Sequence, residues 1–592
     1  MTPVPTWQQL RDVKLNEFED AAEGWGKVSS RSNAAQDRVD NQMLAPILES
    51  EKGEAAETSV SNLRQLSRNF QYLHIECGLI RTALNGLAKE LAGPKSKLKQ
   101  ALEDAENRKF TVHADGSVEY PPSAGPLLTT PRGGTAHPGA PVPLLPGKAE
   151  GQGDPNRSAA EDIAERIAQA VRSAAEIDGR YADALRKLTT TAGLAVDSRA
   201  LADAGQDIRA VQKAAGTYSD DNAIPQDKSA QENAAWWKNL TQEQRDEYTT
   251  LYPASIGALD GIPSTARDDA NRIVLAETKA RNQLELAAIP PEPVPKNTYP
   301  LWNRGYPVPT DEWSKWNREY GDRHEQATRV ENGIKAIEER FDRTGRNGLP
   351  EAYVLGFSPD GYGRAIIASG NPDTADHTAA YVPGTTSNLG KIDGDIKRMD
   401  NLWRESDSMP GAGNVSTVMW LGYDAPQSIV KDAPFSHYAD DGAPAFNTFM
   451  DGLNTTNTTE SGGHHTAIGH SYGSTLIGSA ARQGDLNADD VVFAGSPGVQ
   501  VGSADELDVP KGQVWNQEAK DDPVPDLGGF GHGGSQWRLG GGVWLTPSSE
   551  PFGANQMSTD TTGHSDYWKE DTKSLSNQAA VATGQYGLVE EK

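Results

Sequence analysis

The 592-residue sequence contains one cysteine, Cys77. A single thiol can form neither a disulfide within the chain nor a cysteine-based metal cluster, so stability must come from packing. Cys77 lies in the apolar, helix-like stretch QYLHIECGLI. We interpret it as a small buried residue, with a reactive thiol as the alternative.

Long apolar runs are also missing, because no stretch reaches the roughly 18 apolar residues that cross a bilayer. The N-terminal stretch MTPVPTWQQLRDVKLNEFED has no basic region followed by an apolar core and a small-residue cleavage site. These two absences predict a protein with no transmembrane segment. We expect it to be cytoplasmic, or exported without a classical signal peptide.

Positive charge is scarce as well. The chain carries 56 Lys and Arg residues against 83 Asp and Glu residues, which gives a formal net charge of -27. A surface of this sign repels the phosphate backbone of nucleic acids. Nucleic acid is therefore excluded as an expected partner.

The composition changes along the chain, which is long enough for two or more domains. Helix-forming residues dominate at the N-terminus and return after a Pro- and Gly-rich stretch, where apolar residues from Ile163 to Leu185 recur at steps of three and four. The predicted regions are an N-terminal helical region over 1–120, a flexible Pro/Gly-rich insert over 121–158, a continuation of the same helical bundle over 159–289, a Pro-rich linker over 290–309 and a second domain over 310–592.

The second domain has a different sequence pattern, in which short apolar runs alternate with helix-like intervals. Runs such as TAAYVPG, VSTVMWLG, HTAIGHSYG and DDVVFAGSPG end at turn residues and leave room for crossover helices. This pattern predicts the α/β class, with a mostly parallel sheet covered on both faces. EAYVLGF and GRAIIAS, separated only by a turn, predict an antiparallel hairpin at the sheet edge. VWLTPSS is predicted to be the last strand of the sheet.

One turn in this domain has the pattern G-x-S-x-G, at GHSYG, residues 469–473. The pattern needs a strand before the serine and a helix after it, so that the turn lifts the hydroxyl clear of the sheet. TAI supplies the end of a strand, and STLIGSAARQ supplies a helix with Gly484 as its C-terminal stop. We predict that Ser471 is a nucleophile, with an architectural or anion-binding turn as the alternative.

A serine nucleophile needs a base, and the base needs an acid to orient it. In the fold that uses this turn, the acid and then the histidine follow the serine in the chain. The loop KDDPVPD offers Asp521, Asp522 and Asp526, of which we choose Asp522 because it leaves the strand directly before Pro523. Asp521 remains a rival. His564, beyond the final predicted strand, is the predicted base.

The other histidines near these motifs fit the role of base less well. His532 precedes the final predicted strand, and His470 is next to the serine, so its ring should point away from the hydroxyl. We interpret His470 as a packing residue. His464 and His465 precede the strand and lack a third ligand for zinc, so they are interpreted as surface or edge residues.

Acyl transfer also needs donors for the developing oxyanion. The main-chain N–H of Tyr472, directly after the serine, is one predicted donor. The second is predicted in the loop YVPGTTSN, at Gly384 and Thr385, where small residues let the backbone approach a substrate.

Taken together, these motifs resemble a family of uncharacterised actinobacterial α/β-hydrolases. The family pattern VPGT, WLGYDAP, GHSYGS, AGSPG, D-P-V and GHS-x-YW is present at Val382, Trp420, Gly469, Ala494, Asp522 and Gly563. The resemblance implies an α/β-hydrolase domain over 310–592, preceded by an all-α bundle. It also implies a serine-dependent hydrolase with Ser471, Asp522 and His564 as its triad, and it identifies no substrate.

The N-terminal helices are faintly similar to the helical-hairpin proteins exported by type VII secretion. Those proteins place a W-x-G turn between two helices, whereas here the glycine of GWGK directly follows Trp25. Export by that route is one hypothesis. A capping or dimerising bundle in a cytoplasmic enzyme is the other.

We therefore expect a serine hydrolase, most simply a carboxylic-ester hydrolase, that works through an acyl-enzyme without a metal or organic cofactor. The expected substrate is a small or lipid-like acyl compound. Self-association or a helical protein partner is expected at the N-terminal bundle. The alternatives are a catalytically idle hydrolase fold that acts as an interaction protein, and an exported effector.

Overall fold

The computed structural model describes residues 5–123, 133–139, 155–188, 194–538 and 541–592. Within these residues, helices dominate the first half of the chain, and strands alternate with helices in the second half. None of the described helices is both long enough and apolar enough to cross a lipid bilayer.

The α-helices follow one another along the whole chain. In chain order they are α1 (Trp7–Asp12), α2 (Leu15–Arg38), α3 (Ala45–Ser50), α4 (Glu54–Asn107), α5 (Pro155–Leu185), α6 (Ser198–Ala215), α7 (Ala230–Asn239), α8 (Gln242–Leu251), α9 (Pro253–Gly257), α10 (Ser264–Ala288), α11 (Asp311–Phe341), α12 (Asp393–Asp407), α13 (His437–Thr456), α14 (Tyr472–Gln483), α15 (Val524–His532) and α16 (Lys573–Ala582).

The strands are concentrated in the second half of the chain. In chain order they are β1 (Thr111–Val112), β2 (Val118–Tyr120), β3 (Gly134–Ala136), β4 (Asn297–Thr298), β5 (Val308–Pro309), β6 (Ala352–Ser358), β7 (Arg364–Ser369), β8 (His377–Val382), β9 (Val415–Leu421), β10 (His464–His470), β11 (Asp490–Ala494), β12 (Val514–Gln517), β13 (Gly534–Arg538), β14 (Gly541–Leu545) and β15 (Asn555–Met557).

The chain divides into two compact units. The first contains Met1–Asn33, Leu73–Leu194 and Ala204–Ala223, and the second contains Ala34–Tyr72, Ala195–Asp203 and Ile224–Lys592. These units interleave along the chain, whereas the regions expected from the sequence are consecutive. The linear division into helical region, insert, bundle, linker and hydrolase domain stays a prediction.

The first unit is mainly helical, and the apolar stripe predicted in α5 is buried there. Its buried members include Ile163, Ile167, Ala174, Ile177 and Tyr181. The unit also contains an antiparallel sheet of β1, β2 and β3 that sequence patterns did not predict. Part of the insert predicted over 121–158 lies outside the described residues. β3 and the first residues of α5 lie within 121–158.

Cys77 is buried in the first unit, as expected. Burial raises the pKa of its thiol to about 11. Since the thiolate is the reactive species, a thiol that stays protonated at neutral pH is a packing residue and a poor nucleophile.

The second unit is organised around an eight-stranded sheet with the order β15-β12-β11-β10-β8-β9-β7-β6. The pairs from β15 to β9 are parallel, and β7 is antiparallel to both β9 and β6. The predicted hairpin at the sheet edge is therefore confirmed. Every residue of β9 and of β11 is buried, as expected for strands covered on both faces.

The chain changes direction across this sheet at β8. The connection through α12 leads from β8 to β9, while those through α13 and α14 lead the other way, to β10 and then β11. Because such crossovers are right-handed, α12 covers one face and α13 and α14 cover the other. Ligands bind in sheets of this kind beyond the carboxyl ends of the strands where direction reverses, here β8 and β10. We call that side of the sheet the carboxyl edge and the opposite side the amino edge.

The prediction of the last strand was wrong. Residues 541–545, within the run around VWLTPSS, form β14, which pairs with β13 in a separate two-stranded hairpin. The outer strand next to β12 is β15, whose three residues are Asn, Gln and Met. Hydrophobic patterning favoured the apolar run as the last strand. The position next to β12 is instead occupied by the short polar strand β15, which pairs with β12 through its backbone.

Candidate active site

Ser471 lies in the sharp turn between β10 and α14. Its backbone has φ 55° and ψ -128°, which costs a non-glycine residue strain on the order of 1–3 kcal/mol. The turn also has no space for a side chain at Gly473, where a Cβ atom would lie 2.1 Å from the carbonyl oxygen of Val382. The residues GHSYG thus form the strand-turn-helix geometry that the G-x-S-x-G pattern requires.

His564 and Asp522 are in direct contact at the carboxyl edge. The Nδ1 atom of His564 lies 3.0 Å from Oδ1 and 2.9 Å from Oδ2 of Asp522. Since a carboxylate only accepts, Nδ1 carries the proton, and Nε2 is left as the basic nitrogen. Asp521, the rival acid, is exposed, whereas Asp522 is buried.

Asp522 is held by two further donors. The hydroxyl of Tyr567 donates to its Oδ2 at 2.6 Å, and the amide of Val524 donates to its Oδ1 at 3.0 Å. Burial alone would raise the pKa of the Asp522 carboxyl, but the hydrogen bonds from His564, Tyr567 and Val524 outweigh burial and lower it. The carboxylate is therefore charged at neutral pH and stabilises a protonated imidazole beside it.

His470 fixes the backbone of His564. Its Nε2 lies 2.7 Å from the main-chain carbonyl oxygen of His564, and the two imidazole rings are 4.8 Å apart between centroids. Burial, together with the nearby charge of Arg398, lowers the pKa of His470 well below its usual range. His470 is therefore neutral, and Nε2–H donates to that carbonyl, in agreement with the packing role expected from the sequence.

Gly495, after β11, leaves space for the His564–Asp522 contact. It has φ 59°, and a Cβ atom there would lie 2.6 Å from Asp522 Oδ2 and 3.0 Å from His564 Nδ1. Neither this role nor that of Tyr567 was inferred from the sequence. Both residues belong to the quoted motifs AGSPG and GHSDYW, which could have singled them out.

The predicted oxyanion loop lies against the serine turn. A Cβ atom on Gly384 would be 2.6 Å from the Ser471 Cβ and 3.0 Å from the Tyr472 amide nitrogen. The loop is anchored behind this contact, since the Tyr423 hydroxyl donates to the carbonyl oxygen of Pro383 at 2.8 Å. Tyr472 is the first residue of α14, and the amides of a first helical turn have no partner within the helix.

These residues share a cavity of about 660 Å³. Ser471, His564, Gly384, Thr385 and Tyr472 all line it, and Asp522 is buried beside His564. Its apolar lining residues are Ile429, Ala433, Pro434, Pro497 and Val524. Its further polar lining residues are Thr386, Ser387, Lys391, Asp395, Arg398, His470, His532 and Ser565. The cavity can therefore take a substrate with an apolar part and a polar part.

Three polar lining residues are already engaged in contacts within the protein. Nη1 of Arg398 donates to Asp395 Oδ1 at 2.7 Å, so the two charges offset each other. Nε2 of His532 lies 2.6 Å from the carbonyl oxygen of Ala433. His532 therefore lines the cavity as a positioned neutral ring, and burial lowers its pKa.

Metal ligands are not grouped in the part of the chain that the structure describes. No set of three or more His, Cys, Asp or Glu side chains in those ranges is arranged to hold a metal ion. His464 and His465 belong to β10 and do not precede it as expected, and His465 is buried. His464 contacts Asp490 and His377 at the amino edge, far along β10 from Ser471.

Comparison with known proteins gives the same fold. Residues 358–531 match the family Abhydrolase_8, described as Alpha/beta hydrolase. The second unit has an α/β-hydrolase fold. The match covers the sheet from the end of β6 to α15, including the loop with Asp522, and it ends before His564.

Two similar proteins from Mycobacterium tuberculosis are each described as an uncharacterized protein. Rv2079 of Mycobacterium tuberculosis is 29% identical over 388 residues, which are 61% of this chain and 56% of that protein. Rv0963c of the same species is 33% identical over 178 residues, which are 28% of this chain and 66% of that protein. The chain thus spans little more than half the length of Rv2079.

Solved structures of esterases are similar at low sequence identity. An arylesterase is 11% identical with a TM-score of 0.28, covering 47% of this chain and 98% of its own. Esterase LipW from Mycobacterium marinum is 12% identical with a TM-score of 0.27, covering 44% and 91%. The assignment of the α/β-hydrolase fold rests on the family match and the observed sheet order.

Proposed function

We propose that this chain is a serine hydrolase that cleaves carboxylic esters through Ser471, His564 and Asp522. The observation that supports the proposal most is the contact of His564 Nδ1 with both carboxylate oxygens of Asp522, since His564 and the strained Ser471 line the same cavity. A strained serine, a histidine oriented by a buried carboxylate and two sets of backbone donors are the parts that acyl transfer needs.

In the proposed reaction, Nε2 of His564 removes the proton from the Ser471 hydroxyl as the oxygen attacks the ester carbonyl. Asp522 keeps the imidazole in the tautomer with Nδ1 protonated and stabilises the charge that forms. The imidazolium then gives its proton to the leaving alcohol. Water, deprotonated by the same imidazole, attacks the acyl-enzyme. The bond from the acyl carbon to the Ser471 oxygen then breaks, the imidazolium returns its proton to that oxygen, and the carboxylic acid leaves.

The oxyanion of each tetrahedral intermediate would be held by main-chain amides. The amide of Tyr472 is one donor, and the loop at Gly384 and Thr385 supplies the other. Such donors are worth most when they are fixed before the reaction. The anchoring of this loop by Tyr423 supports that role.

The test is hydrolysis of p-nitrophenyl esters of graded acyl length by the full chain. We expect turnover by wild type and background rates for Ser471→Ala, with Ser565→Ala as a matched control that removes another hydroxyl from the cavity and keeps activity. A folded wild-type chain that hydrolyses none of these esters would contradict the proposal and favour the idle-hydrolase alternative. Export by type VII secretion and self-association of the N-terminal helices stay predictions.

A further inference from the structure

The cavity opens beside a segment with unusually exposed apolar side chains. This rim segment, residues 428–435, lies in the connection between β9 and α13. Within it Ile429 is 74% exposed, Val430 83% and Phe435 57%. Exposed apolar residues are normally scattered singly over a protein surface. Three in one short segment mark a contact surface.

The rim segment is continuous with the site. Ile429, Ala433 and Pro434 line the cavity, and the exposed Val430 and Phe435 directly follow Ile429 and Pro434 in the chain. A hydrogen bond also fixes the backbone of the rim segment, because the Tyr472 hydroxyl donates to the Phe435 carbonyl oxygen at 2.5 Å. Whatever contacts the rim segment therefore faces the entrance to the candidate active site.

A second exposed cluster lies on the connection between α10 and α11. We call residues 294–309 the arm; they include the β4–β5 hairpin, in which Tyr299 is 66% exposed, Trp302 78% and Tyr306 66%. Aromatic rings with a polar edge are the side chains that favour boundaries between water and lipid.

The arm projects from the same side of the sheet as the cavity. Gln326 and Arg329 of α11 donate to the carbonyl oxygens of Pro359 and Gly361, in the loop that leads into β7 where β7 pairs with the end of β9. From Gln326, α11 continues back to Asp311, which at about 1.5 Å per residue places the arm on the order of 20 Å beyond the carboxyl edge. The rim segment and the arm thus lie on one side of the second unit.

The chemistry of both clusters indicates the occupant. Each is mainly apolar or aromatic. The rim segment carries Lys431 beside Asp432, and in the arm Lys296 lies 3.6 Å from Glu292, which leaves Arg304 as the other charged residue of that segment. The whole chain carries -27, which repels anionic lipid surfaces. We propose that the rim segment and the arm dock onto the surface of an uncharged or zwitterionic lipid assembly. The inference rests on the proposed function in one respect, namely that an ester in that surface can enter the cavity.

Vesicle flotation with the full chain tests the docking surface. We expect wild type to float with phosphatidylcholine vesicles, and to float less with vesicles that contain an equal share of phosphatidylglycerol. Val430→Ser/Phe435→Ser and Trp302→Ser/Tyr306→Ser should each reduce the bound fraction about fivefold or more, because they remove apolar area from the contact. None of these residues lines the cavity, so hydrolysis of water-soluble p-nitrophenyl acetate should stay unchanged.

Leu588→Ser is the matched control. Leu588 is 51% exposed, but it follows Tyr586, whose hydroxyl donates to Asp490 at the amino edge. Flotation of this variant should equal that of wild type. If wild type stays with the soluble fraction, or if Leu588→Ser loses binding as much as the rim and arm variants do, the docking surface is refuted.

Three further outcomes are informative. Flotation of wild type without any ester hydrolysis would refute the proposed function and leave the docking surface standing, whereas hydrolysis without flotation would do the reverse. Light scattering gives the third outcome. If wild type is a dimer that does not bind vesicles, and Val430→Ser/Phe435→Ser dissociates that dimer, then a second copy covers the surface and the inference is overturned.

If either double variant unfolds, the single variants Val430→Ser and Trp302→Ser replace the double variants in the flotation assay.

Discussion

Two clusters of the same residue types lie at opposite edges of the central sheet. The carboxyl-edge cluster is His564, Asp522 and Tyr567, and the amino-edge cluster is His464, Asp490 and Tyr586. In each, the histidine contacts the aspartate at 2.9 and 2.8 Å respectively, and the tyrosine hydroxyl donates to the same aspartate at 2.6 and 2.7 Å. By these contacts alone, the two are equivalent.

They differ in what the imidazole can still do. In the amino-edge cluster, His464 uses Nε2 toward Asp490 and has Nδ1 at 3.3 Å from both the Ala582 carbonyl oxygen and His377. In the carboxyl-edge cluster, Asp522 binds Nδ1 only, and His564 lines the cavity with Ser471. A His–Asp contact therefore indicates catalysis only where the second nitrogen and a nucleophile share a cavity.

The largest difference between the clusters should appear when each histidine is removed. We expect His564→Ala to lower kcat/KM for a p-nitrophenyl ester by about a thousandfold or more, because the serine loses its base. His464→Ala should keep kcat/KM within about threefold and lower the melting temperature instead. Equal losses of activity in the two variants would show that the clusters are not functionally distinct.

Within the carboxyl-edge cluster, the acid can be tested against its sequence neighbour. Asp522→Asn should reduce kcat by about a hundredfold or more, since an amide can hold the imidazole in the wrong tautomer. Asp521→Asn, at an exposed side chain, should leave kcat unchanged in the same steady-state assay. The reverse ranking would make Asp521 the triad acid.

Filling the space that Gly495 leaves beside His564 and Asp522 should reduce kcat/KM less than removing the imidazole of His564 does. Gly495→Ala places a Cβ against Asp522 and His564, and we expect a loss of about tenfold to a hundredfold in kcat/KM from the displaced geometry. Gly512→Ala is the control, because Gly512 also has positive φ, 85°, but nothing within 4 Å of the added atom. If both variants lose activity equally, backbone strain rather than crowding is the cause.

The smallest effect is on pH-dependent stability. Burial alone would lower the pKa of His464, but the hydrogen bond and charge of Asp490 outweigh burial and raise it. The contribution of His464 to stability is therefore full below its unfolded pKa of about 6.5 and is lost as pH rises through the folded value. We expect His464→Gln to lower the melting temperature by about 2–4 °C at pH 5.5 and by less at pH 9.

Thermal unfolding at the two pH values measures this difference directly. The carboxyl-edge cluster should respond in the opposite direction, because the pKa of Asp522 is lowered. Its contribution is present above the unfolded pKa and is lost as pH falls. A His464→Gln penalty that grows toward pH 9 would contradict the assigned shift.

Much of the fold followed from patterns that the sequence shows directly. The βαβ spacing predicted the α/β class and the parallel sheet, and the short SPDGY turn predicted the β6–β7 hairpin. The strand-turn-helix context singled out Ser471, and chain order singled out Asp522 and His564. These features depend on local periodicity and on the residues at turns, and both can be recognised in a single sequence.

The rest depends on contacts that one sequence does not specify. β15 is too short and too polar to be recognised as a strand from sequence patterns. β14 is apolar but pairs outside the main sheet. The bond from His470 to the His564 carbonyl joins residues 94 positions apart. The space that Gly495 leaves for two side chains becomes visible only when three distant segments meet.

We propose that the carboxyl-edge cluster activates the hydroxyl of Ser471 and no other hydroxyl. The most direct measurement is to treat the folded full chain with a fluorophosphonate and map the adduct by peptide mass spectrometry. We predict one adduct on the peptide that contains Ser471, unchanged in Ser565→Ala and absent in His564→Ala. An unlabelled wild-type chain, or an adduct that persists in Ser471→Ala, would show that Ser471 is not the activated residue.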